Sequence, residues 1–272
     1  MQVRDGMVAV VTGAASGIGE ALSRQLAARG LRVALLDVAA DRLAALNAEL
    51  AATGATVHPI VVDVRDRSAL ESAAATAAQR LGPAQLLIAN AGVATHGTFG
   101  EVPVAHFDQV LEVNLHGVIH TVRAWWPQLV AQRAAHLVTI SSVFGLVAPA
   151  GQAAYAAAKF GVRGFTEALR HEAEGTGLRV SVVHPGGIRT RIAEHATFDA
   201  SRVTAADREA VLARFRRLAR TTPAAAATRI LQGIERDEAR ILVGRDATLL
   251  AWLQRIAPVH YWRTLRRILG EP

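Results

Sequence analysis

Along this chain, short apolar runs alternate with longer stretches of helical spacing. Residues 7–12 (MVAVVT), 31–37 (LRVALLD), 56–62, 86–89, 136–141, 179–184 and 240–243 are short, apolar and rich in β-branched side chains, the pattern of buried strands. Between them, 16–29, 40–52, 67–81, most of 103–133 and 153–174 are dominated by alanine, leucine and other helix formers. Gly30, Gly54, the Gly82-Pro83 pair, and Gly175 with Gly177 stand where helices should stop. A strand–helix unit repeated about six times predicts an α/β fold: a doubly wound parallel sheet with right-handed crossovers and helices on both faces. No internal repeat or low-complexity linker divides the chain, so one domain is expected over residues 1–246.

Two stretches depart from that rhythm. Residues 190–222 form a long, partly helical excursion, of the kind that serves compact domains as a lid or binding loop. Residues 247–272 carry Leu249, Trp252, Leu253 and Ile256 at helical spacing. Pro258 interrupts, and Tyr261, Trp262, Leu265, Ile268 and Leu269 resume it, with Arg255, Arg263, Arg266 and Arg267 between them. The expectation is an amphipathic helical extension packed on the body or on a partner subunit. The alternative is a basic segment resting on an anionic membrane surface.

Composition narrows the function classes. With 51% hydrophobic and 19% charged residues, the chain can build a sizeable core and is not globally disordered. It has no cysteine, which excludes disulfides, thiolate catalysis and cysteine-based zinc sites and suits a reducing compartment. The formal charge of +7 comes from scattered arginines with no aromatic-interleaved stripe, so no nucleic-acid partner is expected. The opening MQVRDGMVAVVTG lacks the layout of a signal peptide, and no apolar run reaches membrane-spanning length; a cytoplasmic protein is expected. His116 and His120 are spaced i,i+4, but no third ligand and no HExxH accompany them, so ordinary packing and no metal site are expected.

Chemistry enters at the first strand's end. There Thr12-Gly-Ala-Ala-Ser-Gly-Ile-Gly19 places glycines 13, 17 and 19 between a strand and a helix. A turn without side chains admits a pyrophosphate, and the following helix offers free N–H groups and the positive end of its dipole. No Gly-Lys-Ser/Thr is present, which disfavours an NTPase loop. Asp37 ends the second strand, where a carboxylate accepts hydrogen bonds from ribose hydroxyls and repels a 2′-phosphate, so NAD is expected over NADP; a plain helix cap is the bland alternative. Asp63, placed to meet an adenine amino group, and Asn90-Ala-Gly-Val93 lie at further strand ends, where turn chemistry explains them equally well.

The run QAAYAAAKFG (152–161) poses a separate question. Lys159 is the only lysine among 30 basic residues, and Tyr155 is one of 2 tyrosines, four residues before it. On a helix the two share one face.

Taken in order, TGAASGIG, Asp63-Val64, NAG at 90–92, Asn114, Ser141-Ser142, YAAAK at 155–159 and HPGGIRT at 184–190 resemble the short-chain dehydrogenase/reductase family in its simple one-domain form, over roughly residues 5–245. The resemblance implies a Rossmann-type fold and a catalytic set of Asn114, Ser142, Tyr155 and Lys159. It implies cofactor contacts from Gly13, Ser16, Gly17, Ile18, Gly19, Asp37, Asp63, Val64, Asn90, Ala91, Gly92, Tyr155, Lys159, Pro185, Gly186, Ile188 and Thr190. It also implies homodimers or homotetramers, with Trp125 and Trp126 as interface or core residues. In that setting Tyr155 is the general acid/base of an alcohol–ketone interconversion. A cation roughly 4 Å away, at an effective dielectric near 20, is worth about 4 kcal/mol, or about three pKa units, with desolvation opposing it. The expectation is therefore a phenol lowered by Lys159, in a role that arginine's planar fork fills poorly.

The apolar segment after Ser142, beginning Val143-Phe144, should line the substrate side together with Ser142 and Tyr155, pointing to a hydrophobic secondary alcohol or ketone. Arg189, Arg191 and His96 are the polar groups placed to anchor a charged substrate instead. The rival readings are an NADP-dependent ketone or acyl-thioester reductase, and a non-catalytic nucleotide-binding scaffold at a membrane surface.

Overall fold

The computed structural model describes residues 2–198 and 204–269. Seven parallel strands form one sheet: β1 (Val8–Thr12), β2 (Arg32–Asp37), β3 (Val57–Val61), β4 (Leu86–Ala89), β5 (Ala135–Ile140), β6 (Leu178–Pro185) and β7 (Arg240–Val243). Their order is β3-β2-β1-β4-β5-β6-β7, so the direction of winding reverses between β1 and β4. This is the expected Rossmann-type doubly wound sheet, and the central strands are buried on both faces.

Alternation along the strands assigns each face its helical layer. Ala9, Val11, Val33 and Leu35 pack with α1 (Gly17–Ala28) and α2 (Ala40–Ala52). Val8, Val10, Ala34 and Leu36 pack with α3 (Arg67–Leu81). The chain between β4 and β5 is mostly helical, as expected over 103–133, and runs without a break from Val104 to Val130. It divides into α4 (Val104–Leu111), a π-helical turn at Glu112–His116, and α5 (Gly117–Val130). From α5, Val118, Val122 and a fully buried Trp125 join the second layer, as does Val162 of α6 (Ala153–Glu172), so Trp125 is a core residue.

After β6 the chain bends through 191–198, where Thr95 and Thr197 form a β-bridge, and then enters α7 (Ala205–Leu218). Residues 199–203 of the expected excursion lie outside the described part. Beyond it lies a helix the sequence reading did not place, α8 (Pro223–Glu235). Thr222 caps α8 by accepting from Ala225 N, and Pro223 occupies its first turn. Its buried Ala226, Ile230 and Ile234 complete the first layer beside α1.

The expected extension is two helices, α9 (Arg245–Ile256) and α10 (Tyr261–Leu269), separated by 257–260 with Pro258. Ala247 is buried, whereas Leu249, Trp252 and Ile256 are exposed. In α10 the side chains of Leu265, Arg267, Ile268 and Leu269 lie outside the described part, as do residues 270–272. Among the described residues, no helix is long and apolar enough to cross a membrane.

Candidate active site

The carboxyl ends of β1 and β4 bound the crevice where open α/β sheets take ligands. Gly13 (φ 64) and Gly17 (φ 54) hold left-handed backbone there. A Cβ on Gly19 would collide with the Gly13 carbonyl, and one on Gly13 would lie 2.9 Å from Ala91 Cα. The turn is stitched to β4 by Thr12, whose Oγ1 accepts from Asn90 N (3.0 Å) and Ala91 N (3.2 Å). Asn90 Nδ2 donates back to Thr12 O at 2.9 Å. Ser16 begins α1 without a side-chain cap, which leaves the helix's amino-terminal N–H groups, from Gly17 through Ile18 and Gly19, open to an anion.

Asp37 reaches this turn from β2. Its Oδ2 accepts from Ala15 N and its Oδ1 from Ala39 N, each at 2.9 Å, so it braces the glycine turn rather than capping α2, whose N-cap is Ala39. Thr190 closes the other side, its methyl lying 3.0 Å from where a Gly17 Cβ would be. Ile188, two residues earlier, is buried and bridged to Thr221. Asp63 behaves differently: both its oxygens are held by Arg65 (2.6–3.1 Å), and that hydrogen bonding holds its carboxyl below the usual range. Its side chain therefore has a protein partner where an adenine contact was expected. Val64 is pressed against Gly117, whose Cβ would come within 2.6 Å of its methyl.

Tyr155 and Lys159 share one face of α6, with Nζ 5.6 Å from the phenol ring centroid. The two flanking elements lock them in place. Lys159 Nζ donates to Ile140 O (2.8 Å), and Ser141 Oγ donates to Lys159 O (2.8 Å). Ser142 starts the 3-10 turn Val143–Gly145 and accepts from Phe144 N (3.1 Å), leaving its hydroxyl proton for the phenol. Phe144 stands edge-on to the Tyr155 ring at 6.2 Å. Asn114 sits in the π-helical turn, a feature frequent at functional sites. Its amide is committed to Val93, accepting from N and donating to O at 2.8 Å each. Gly92 brings Asn114 and Lys159 together, since a Cβ there would lie 3.2 Å from Asn114 Oδ1 and 3.7 Å from Nζ.

The expected lowering of the phenol is not what the protein alone produces. Burial pushes Tyr155 up to about 12, against the hydrogen bond from Ser142, and pushes Lys159 down to about 8. Desolvation outweighs the mutual attraction because Lys159 is buried, Tyr155 is largely covered by its neighbours, and the amine has turned to a carbonyl. In the protein by itself the pair favours a protonated phenol.

Four side chains escaped the sequence reading of this region. Buried His184 donates from Nδ1 to Ser142 O (2.8 Å), and burial holds the ring neutral, with its pKa lowered to about 4. Asp246 accepts from Gly187 N (2.6 Å). Tyr261 Oη accepts from Ala148 N (2.9 Å). Gln152 donates to His96 Nδ1 (3.1 Å), and His96 tilts against Phe198 at 5.8 Å. Two of them carried a signal: His184 opens the HPGGIRT run, and Tyr261 is the second of 2 tyrosines. Arg189 turns away to Ala219 O (3.1 Å). His116 and His120 stack on each other at 6.4 Å.

The model of the short chain dehydrogenase family matches residues 7–200. SadH of Mycobacterium tuberculosis, named an oxidoreductase, is 39% identical over 263 residues, spanning 95% of this chain and 94% of its own. The 1-deoxy-11-beta-hydroxypentalenate dehydrogenase of Streptomyces avermitilis is 43% identical over 187 residues, 67% of this chain and 68% of its own. A short chain dehydrogenase/reductase from Burkholderia phymatum, solved in complex with NAD, superposes with a TM-score of 0.88 at 30% identity, covering 95% of this chain and 96% of its own.

Proposed function

This chain is an oxidoreductase of the short-chain dehydrogenase family, and on that premise we propose that it moves a hydride between NAD(H) and a hydrophobic secondary alcohol or ketone, with Tyr155 handling the proton. The observation that carries this reading is the Ser142, Tyr155 and Lys159 group, with buried Ser142 and Lys159 on either side of a half-buried phenol, set beside the glycine turn at the sheet's switch point.

The glycine turn fits a dinucleotide. It is a cradle that side chains at Gly13 or Gly19 would fill, at the uncapped amino end of α1. Gly13, Ser16, Gly17, Ile18, Gly19, Asn90, Ala91, Gly92 and the segment from Pro185 and Gly186 through Ile188 to Thr190 would hold the cofactor, with Val64 and the backbone of Asp63 beside it. Asp37 supports NAD over NADP, because its carboxylate stands at the turn and repels a 2′-phosphate. The NAD bound by the Burkholderia neighbour supports the same choice. When bound, the nicotinamide supplies or takes the hydride.

The chain's own residues manage the oxygen and its proton. Tyr155, its phenol held protonated by desolvation, is ready to donate to a ketone oxygen while Ser142 orients that oxygen. For the reverse reaction the phenol must give up its proton, which the Lys159 ammonium and a cationic ring favour. Asn114 fixes the loop at Val93 beside the amine. Phe144, edge-on to the phenol, supports an apolar substrate, and a relative named for a hydroxypentalenate dehydrogenase supports an alcohol. The 190–222 segment serves as lid. A chain without cysteine suits a reducing cytoplasm, and exposed Leu249 and Trp252 suit a homo-oligomer.

A panel of aliphatic and cyclic ketones with NADH, followed by absorbance, tests the proposal. Wild type should turn over apolar members, and Tyr155→Phe should lose about 10²- to 10⁴-fold in kcat while still binding NADH. An active Tyr155→Phe enzyme, or preference for small charged hydroxy acids, would refute it.

A further inference from the structure

The C-terminal helices touch both loops that flank the proposed catalytic serine. At the start of α9, Asp246 accepts from Gly187 N and fills the space that Gly186 leaves without a side chain. A Cβ on Gly186 would strike that carboxylate, so the glycine and the aspartate fit as a pair. From there α9 runs against the Val143–Gly145 turn. At the first residue of α10, the Tyr261 hydroxyl accepts from Ala148 N across 113 residues of sequence. One segment is thus fastened at one end to the strand end proposed to hold the cofactor, and at the other to the loop proposed to line the substrate.

We propose that residues 245–261 act as a strap over the substrate side, and that Tyr261 is a positioning residue that sets the 146–149 loop and thereby the enzyme's affinity for its ketone or alcohol. This rests on the reaction proposed above. Three observations carry it. Within one chain the strap is not core: between its anchors Leu249, Trp252 and Ile256 are 60%, 60% and 77% exposed, so what ties it to its own subunit is its attachment points. The loop it holds is irregular, with Ala148 exposed and Gly151 at φ 76, so the phenolic oxygen supplies an order that no strand or helix provides. The same loop leads through Gln152, the partner of His96, directly into α6 and Tyr155. A phenylalanine would fill the same space; only the hydroxyl can accept the Ala148 proton.

Tyr261→Phe in the full-length chain removes that acceptor and little else. Two readouts apply: hydrogen exchange of the 143–152 peptide by mass spectrometry, and KM against kcat on the ketone panel with NADH. The loop amide should exchange about fivefold faster, and KM should rise by about the same factor, with kcat and NADH affinity kept. Unchanged exchange overturns the strap. Faster exchange with unchanged KM overturns its role in substrate affinity, and a fall in kcat alone does so as well. If wild type turns over none of the panel, the ketone reading falls and takes the affinity effect with it; exchange then decides the strap by itself.

Discussion

The two halves of the sheet's carboxyl edge are built by different means. On the β1–β4 side, left-handed glycines set the main-chain path, and the Thr12, Asn90 and Asp37 side chains bond to main-chain atoms around it. On the β5–β7 side, order comes from side chains reaching between distant elements: His184 to Ser142, Asp246 to Gly187, Tyr261 to Ala148, Lys159 to Ile140. A turn that wraps a phosphate needs a particular main-chain path and little else, so it can be rigid and generic. A pocket for a particular alcohol needs walls that can change, and side chains anchored from afar supply them.

Acid separates the halves most strongly. His136 on β5 and His184 on β6 are both held neutral by burial, at about 3 and about 4. Below pH 6.5 the unfolded chain takes up protons that the folded rings refuse, so stability falls as pH drops from 6.5 toward about 4. For His184 the loss is about 3 kcal/mol at about 1.4 kcal/mol per pH unit. Thermal unfolding between pH 7 and pH 4 should show it, with exchange protection lost in β5 and β6 before β1 and β2. His184→Asn, which keeps a donor for Ser142 O, should flatten the dependence. Equal loss on both sides of the sheet would erase the contrast.

Gly19→Ala attacks the other half. Its methyl meets the Gly13 carbonyl, and the expected cost is about 1–3 kcal/mol in a urea melt, with NADH binding lost. Retained NADH binding would show that the turn yields. Asp37→Asn gives the mildest effect. It removes the charge yet keeps one acceptor, and should move the NAD/NADP preference by about tenfold toward NADP, read as a ratio of kcat/KM. No movement would make Asp37 purely a brace for Ala15 and Ala39.

What could be read from the sequence follows the same division. The glycine turn, Asp37 and the Tyr155–Lys159 spacing were legible because each rests on a local rule: a strand-to-helix turn without side chains, or one helical turn. Each of the seven strands was placed within about two residues, the usual uncertainty of element ends. Helix α8 was missed although Thr222-Pro223 is a start signal, because the excursion before it was read as ending there. The mostly helical 103–133 stretch was legible, but the π-helical turn within it left no mark in its apolar spacing. The upward shift of Tyr155 in the protein alone was not legible for another reason. Spacing says who neighbours whom, but desolvation depends on how completely α6, β5 and the Val143–Gly145 turn enclose the pair. His184, Asp246 and Tyr261 act across 42, 59 and 113 residues, beyond any local pattern.

The solitary lysine has a practical corollary. Every other basic side chain in the protein is a guanidinium or an imidazole, so Lys159 is its one side-chain primary amine, and it is 3% exposed. Apart from the α-amino group, a reagent selective for such amines would leave the folded protein untouched and mark Lys159 only when the heart of its pocket opens. The protein thus carries its own counter of breathing events, one helical turn from the phenol proposed to move the proton.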